Sequence, residues 1–275
     1  MKFNKMKRTG TILVLMAAGS FVFSGCNERD IFLDSFDRHP VVSGQQTEDK
    51  SEDSEEETDA GSQESSGKSG KSEKIEIKHF PIVEQLPELP TGCEITALTM
   101  VLNYYGYDVD KETMAGDYLP TLWDDIYYDE ETDTLYGGDL ENYFVGDPFS
   151  EEGYICGTSA IVTAANTYLE EAGSSMRAVD YSGASPETLY KLVKKGTPVV
   201  VWVTIEMEPP EEAEGWYTRE GDYMEWYTNA HAAVLIGYTD KKVILADPLE
   251  GKYQVSKKKF EKIFEARNRR CVVLE

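Results

Sequence analysis

The chain has 275 residues and a formal net charge of −24. That length suits one sizeable domain with extensions, or two small domains. The charge argues against nucleic acid as a partner and against electrostatic adhesion to anionic lipid.

The first segment in chain order is basic, "MKFNKMKR", and leads into the uncharged apolar run "TGTILVLMAAGSFVF". The run is too short to span a bilayer as a mature helix, so residues 1–25 read as an export signal, with an uncleaved anchor helix as the alternative. Its end, Phe23-Ser24-Gly25-Cys26, resembles the lipobox of bacterial lipoproteins. That resemblance implies cleavage before Cys26 and a diacylglyceryl group on its sulfur. The rest of the chain is then expected at the extracytoplasmic face of the cell membrane, held by lipid, where disulfides are permitted.

Residues 26–74 include "QQTEDKSEDSEEETDAGSQESSGKSGKSEK", which has no hydrophobic period and cannot offset its own ordering entropy. They read as a disordered acidic tether, roughly 45 residues long with an end-to-end distance of about 35–40 Å. A helix in the Glu-rich part is disfavoured because Ser and Gly interrupt every turn.

Residues 75–275 carry the pattern of a single domain. Leu98, Val101, Leu102 and Tyr105 lie at helical spacing, with Ile95 and Ala97 on the remaining circumference, predicting a largely buried helix from Cys93 to Tyr105. A second helix is expected over Ser159–Ala172, ended by Gly173. A third has Ser185 as cap and Pro186 at its first position, and stops at Gly196. The period then changes. "PVVVWVTI" (198–205) is a strand buried on both faces. "HAAVLIGY" and "KVILADP" form a hairpin around Thr239-Asp240-Lys241. "KYQVS" adds a short strand, "SKKKFEKIFEA" an amphipathic helix and "RCVVL" a closing strand. Helices first and an antiparallel sheet second predict an α+β domain. Residues 120–154 and 206–229 fit neither half and read as long insertions. The aromatics of the second, Trp216, Tyr217, Tyr223, Trp226 and Tyr227, either wall a substrate cleft or form the loop's own small core.

In "TGCE", Thr91 and Glu94 have the spacing of a capping box, which puts Cys93 in the first helical turn. Free amides and the helix dipole there favour the thiolate by about 0.3–1 kcal/mol. The Glu94 charge opposes it, in part neutralised by capping, so a strongly reactive thiol needs a cationic neighbour. Of the three histidines, His39 falls in the tether and His79 at the domain edge, whereas His231 opens a predicted core strand. Asp247 closes the next one, and pairing of the two strands brings 231 and 247 within one to three residues of register. Cys93, His231 and Asp247 thus make a consistent set for nucleophilic catalysis. If Cys26 is lipidated, Cys93, Cys156 and Cys271 remain. A Cys156–Cys271 disulfide and three free thiols are both open.

"QLPELPTGCEITALTMVLNYYG", "AHAAVLIGY" and "VILADP", in this order, resemble the C39-like peptidase family of papain-like cysteine proteases across most of residues 80–274. The resemblance implies a papain-like fold with Cys93 as nucleophile, His231 as general base and acid, and Asp247 as orienting carboxylate. It further implies Gln85 as an oxyanion donor beside the Cys93 amide, although the Gln-to-Cys spacing exceeds that of the bacteriocin-processing members, whose transporter segments this chain lacks. No H-E-x-x-H, C-x-x-C, P-loop or G-x-G-x-x-G occurs, so neither a metal nor a cofactor is expected. The acidic "WDDIYYDEETD" lacks the EF-hand pattern and reads as a solvated face. The expected function is a monomeric, lipid-anchored cell-surface thiol hydrolase that cleaves a peptide or related amide bond. A non-catalytic peptide- or cell-wall-binding module, and a transglutaminase-like acyl transferase on the same triad, are the alternatives.

Overall fold

β-Branched runs with no polar face build the centre of the molecule. The computed structural model describes residues 74–123 and 126–275. The export segment, Cys26, His39 and all but the last residue of the tether lie outside the described residues.

In chain order the elements are β1 (Ile75–Glu76), α1 (Cys93–Tyr104), α2 (Lys111–Thr113) with a π-helical turn over Met114–Tyr118, β2 (Thr121–Leu122), β3 (Tyr127–Asp129), β4 (Thr134–Tyr136) and β5 (Phe144–Val145). There follow α3 (Thr158–Glu171), β6 (Ala178–Asp180), α4 (Pro186–Lys194), β7 (Val199–Thr204), β8 (Trp216–Tyr217), β9 (Tyr223–Met224), β10 (Ala230–Tyr238), β11 (Lys242–Asp247), β12 (Gly251–Ser256), α5 (Lys257–Ala266) and β13 (Cys271–Leu274). The main sheet has the order β12-β11-β10-β7-β13-β6, with β1 beside the far end of β10, and its pairings are antiparallel.

Each expected helix and strand of the domain is present, with ends within one or two residues. β7 is buried at all six positions, as a strand covered on both faces must be. The Ser185 hydroxyl accepts the Thr188 amide with Pro186 in the first turn, and Gly196 follows the helix at φ 90°. Thr239 N–H donates to the Lys242 carbonyl at 2.8 Å, closing the β10–β11 hairpin. α1 packs on β10 and β7, and its first ten residues are buried. Its start therefore meets the His231 end of β10. No helix among the described residues is long and apolar enough to cross a membrane.

The two insertions fold against each other. β3-β4-β8-β9 is one small sheet drawn from both, and β2 pairs with β5 in parallel. Trp216 is the centre of a second small core with Leu140, Val145 and Ile155, and Tyr154 packs edge-on to both Trp216 and Trp226. Of the two readings of the aromatic stretch, the small core is the one seen, around the buried Trp216; Tyr217 and Tyr223 are exposed. Gly137 is needed for the close approach, since a Cβ there would lie 2.7 Å from the Trp216 ring. The first insertion is tied to the domain by Glu141. Its Oε1 accepts the Ser159 amide and the Thr158 and Ser159 hydroxyls, supplying α3 with the cap that Gly157 cannot.

Candidate active site

The expected capping box does not form. Gly92 occupies the N-cap position and α1 starts at Cys93, so Glu94 is the second helical residue, one short of the place a box requires. The Thr91 hydroxyl is committed elsewhere, against the Asp147 and Ser150 carbonyls of the first insertion at 3.3 and 3.1 Å. Glu94 consequently turns inward. Its Oε1 accepts the Cys156 amide at 3.1 Å, and its Oε2 accepts the Cys93 thiol at 3.2 Å.

This alters the state of the sulfur. Burial, followed by the charge and hydrogen bond of Glu94, pushes the Cys93 thiol well above its ordinary pKa, and the more distant Asp247 acts in the same direction. The Ala232 amide, which bonds the sulfur, opposes them. Burial also raises the Glu94 carboxyl, against its own amide and that of Cys156, the bond from Cys93 and the charge of His231. Burial and the Glu94 contact thus favour the Cys93 thiol over the thiolate that a helix start alone favours. The dipole contributes about 0.3–1 kcal/mol at an exposed site, whereas desolvating an ion costs several kcal/mol.

His231 and Asp247 are both buried, and Nε2 lies 2.9 Å from Oδ1. Their meeting depends on a β-bulge. Val234 pairs with Ala246 and Leu235 with Leu245, but beyond Ile236 the partners shift to Gly237–Ile244 and Tyr238–Val243. Extended by one residue, the first register sets Asp247 opposite Ala233 and on the same sheet face as His231. In the register beyond the bulge, Asp247 would oppose Val234 and point to the other face. Asp247 Oδ1 also accepts the Leu249 and Glu250 amides at 2.8 and 3.2 Å. Burial tends to raise the Asp247 carboxyl, but the His231 bond and charge and these two amides outweigh it and hold the pKa below the ordinary value. An ionised Asp247 accepts, so Nε2 is the donor in this bond.

Gln85 is buried between the two halves of this arrangement. Its amide donates to the Pro248 carbonyl at 2.9 Å, next to Asp247, and its Nε2 donates to the Pro90 carbonyl at 2.9 Å, ahead of Cys93. One Nε2 hydrogen remains, and Oε1 has no partner among the described residues. His79 is exposed at the domain edge, as expected. Cys93, Cys156 and Cys271 are all free and buried, and burial lifts the Cys271 thiol to about 12. Of the two cysteine outcomes, three free thiols is the one observed. Sequence reasoning missed Cys156 and Ala232, because both act through backbone amides that no side-chain pattern marks. Trp202 did carry a signal: an indole N–H inside an apolar strand needs an acceptor, and it donates to the Cys156 carbonyl at 2.9 Å.

Three comparisons bear on this geometry. Residues 77–272 match the Peptidase_C39 like family. The uncharacterized protein YvpB of Bacillus subtilis (strain 168) is 30% identical over 278 residues, covering 98% of this chain and 100% of that one. A Bacillus anthracis crystal structure described as a C39-like peptidase superposes with a TM-score of 0.64 at 31% identity, over 74% of this chain and 98% of that one. The sheet, the buried start of α1 and these matches agree, and the chain belongs to the Peptidase_C39 like family, with the papain-like α+β fold of C39-like peptidases.

Proposed function

We propose that the protein is a thiol peptidase that hydrolyses a peptide or related amide bond through Cys93, His231 and Asp247. The observation that carries this reading is the buried 2.9 Å bond between His231 Nε2 and Asp247 Oδ1, on the strand whose next residue, Ala232, has its amide beside the Cys93 sulfur. Nδ1 of His231 takes the Cys93 proton as Sγ adds to the scissile carbonyl. The same proton then passes to the departing amine as the C–N bond breaks, leaving a thioester. Water, deprotonated by His231, displaces Cys93 and restores the thiol. Asp247 keeps the imidazole oriented and stabilises its cation. The remaining Gln85 Nε2 hydrogen and the Cys93 amide serve the developing oxyanion, where losing one donor typically costs ~10²–10³ in rate. Lipidation at Cys26 would hold this domain at the extracytoplasmic membrane surface, with a peptide or protein as partner.

The test incubates the full chain with a defined peptide mixture and reads new termini by mass spectrometry. Cleavage is expected to vanish in Cys93→Ala and to fall by about 10²–10⁴ in His231→Ala. Added amine distinguishes hydrolysis, which yields the free acid, from acyl transfer, which yields a new amide. Equal cleavage by Cys93→Ala would overturn the assignment. So would an intact chain that cleaves nothing and whose Cys93 is alkylated at the same rate with and without His231.

A further inference from the structure

A cavity of about 150 Å³ lies between the two insertions and the turn joining α5 to β13. Leu140, Ile155 and Trp202 give it apolar walls, Tyr223 and Tyr227 aromatic ones, and Arg267 and Arg270 enter from the turn. Asn268 and Arg269, both at positive φ (57° and 51°), reverse the chain between the two arginines.

The charged side chains around the cavity interact with neighbours, and Arg267 keeps one donor unused. Arg270 Nη1 bonds Glu141 Oε2 at 2.8 Å, and Glu225 takes a hydrogen bond from the Tyr227 hydroxyl. Arg267 is 6% exposed, and its guanidinium carbon lies 4.2 Å from the centre of the Tyr227 ring. Its Nε is one of two buried side-chain polar atoms without a hydrogen-bond partner among the described residues. Burial lowers its pKa from the ordinary value and the Arg270 charge acts in the same direction, against Tyr227, Glu225 and Glu94. A buried cation with an idle donor is costly until an acceptor fills it. The planar guanidinium fork matches a planar carboxylate, and the cavity has room for more than a single water.

The cavity is linked to the nucleophile through the backbone of Cys156. Ile155 and Gly157 on its wall flank Cys156, whose carbonyl bonds Trp202 and whose amide bonds Glu94, the residue holding the Cys93 thiol.

We propose that this cavity is a carboxylate-binding subsite of the peptidase cleft, in which Arg267 binds an acidic side chain of the peptide or its C-terminal carboxylate. The subsite role rests on the peptidase reading above; carboxylate binding by Arg267 does not. The test is therefore made in the full chain carrying Cys93→Ala, where turnover cannot interfere. The ¹⁵N resonances of Arg267 Nε–H and Trp202 Nε1–H are followed during titration with three probes. These are N-acetylglutamate α-amide, which has only the side-chain carboxylate; N-acetylglutamine, which has only the C-terminal one; and N-acetylglutamine amide, which is neutral.

Saturable shifts of both resonances are expected with at least one acid and not with the neutral amide, and the tighter acid identifies the source. Arg267→Met should abolish the Trp202 shift, and Arg267→Lys, which keeps the charge but not the fork, should weaken it by at least about tenfold. The site is overturned if the neutral probe matches the acids, if neither acid gives a saturable shift, or if Arg267→Met binds as tightly. The two readings separate cleanly. Carboxylate binding with no peptide cleavage by the unsubstituted chain overturns the peptidase reading and leaves the site. Cleavage with no preference for a carboxylate overturns the subsite and leaves the peptidase.

Discussion

Replacing Glu94 by Gln should make Cys93 more reactive. The Glu94 Oε2 to Cys93 Sγ separation of 3.2 Å corresponds to about 5 kcal/mol between unit charges at an effective dielectric of about 20. That is an upper bound on what a thiolate gains when the carboxylate is removed, because the charge is spread over two oxygens and the surroundings relax. Each 1.4 kcal/mol or so recovered multiplies the thiolate fraction tenfold. A less basic thiolate is a weaker nucleophile, so each tenfold gain returns only about threefold in rate. Glutamine can also keep both contacts, its oxygen accepting the Cys156 amide and its amide now donating to sulfur. Alkylation of Cys93 by iodoacetamide at neutral pH, followed by mass spectrometry, should therefore accelerate by between about threefold and about a hundredfold in Glu94→Gln, with the thermal midpoint little changed. An equal or slower rate in a folded Glu94→Gln protein would refute the view that this carboxylate restrains the nucleophile.

Three further outcomes follow from the same geometry. Asp247 has a depressed pKa, so its pairing contributes stability above the ordinary carboxylate range that is lost as pH falls through the folded value; Asp247→Asn should flatten the acid limb of a Tm-against-pH curve and lower peptide cleavage at neutral pH. A Cβ on Gly153 would lie against the Thr91 hydroxyl and 2.7 Å from the Asp147 carbonyl. Gly153→Ala should then cost roughly 1–3 kcal/mol by denaturant titration and change Cys93 alkylation, because the displaced turn leads into α1. Trp202→Phe removes the donor to the buried Cys156 carbonyl; a loss of about 1–3 kcal/mol is expected in the same titration, and no loss would show that this carbonyl finds another partner.

The local elements of the domain were legible because each is written in neighbouring residues. The Ser185-Pro186 start of α4, the all-apolar β7 and the turn at Thr239–Lys241 are short-range patterns, and the structure keeps them nearly unchanged. The three candidate residues were placed on α1, β10 and β11 in the same way, by where each falls in its element. The insertions were recognised only as irregular stretches, since the core they share needs both of them, far apart in the chain.

What sequence alone determined, then, was the α+β order of elements and the placing of Cys93 at a helix start, His231 at one strand end and Asp247 at the next. Only the tertiary structure decided how they face one another. The bulge at Ile236, which puts Asp247 on the His231 face, adds one residue to a ladder whose period of two hides it from any local pattern. The fate of Glu94 was settled likewise by competition. Thr91 donates to carbonyls of the first insertion while Gly92 takes the N-cap, and the Glu94 carboxylate turns to the buried amide of Cys156 and the thiol beside it. Spacing can offer a partner, but burial and the alternatives brought in by distant segments decide which partner is taken.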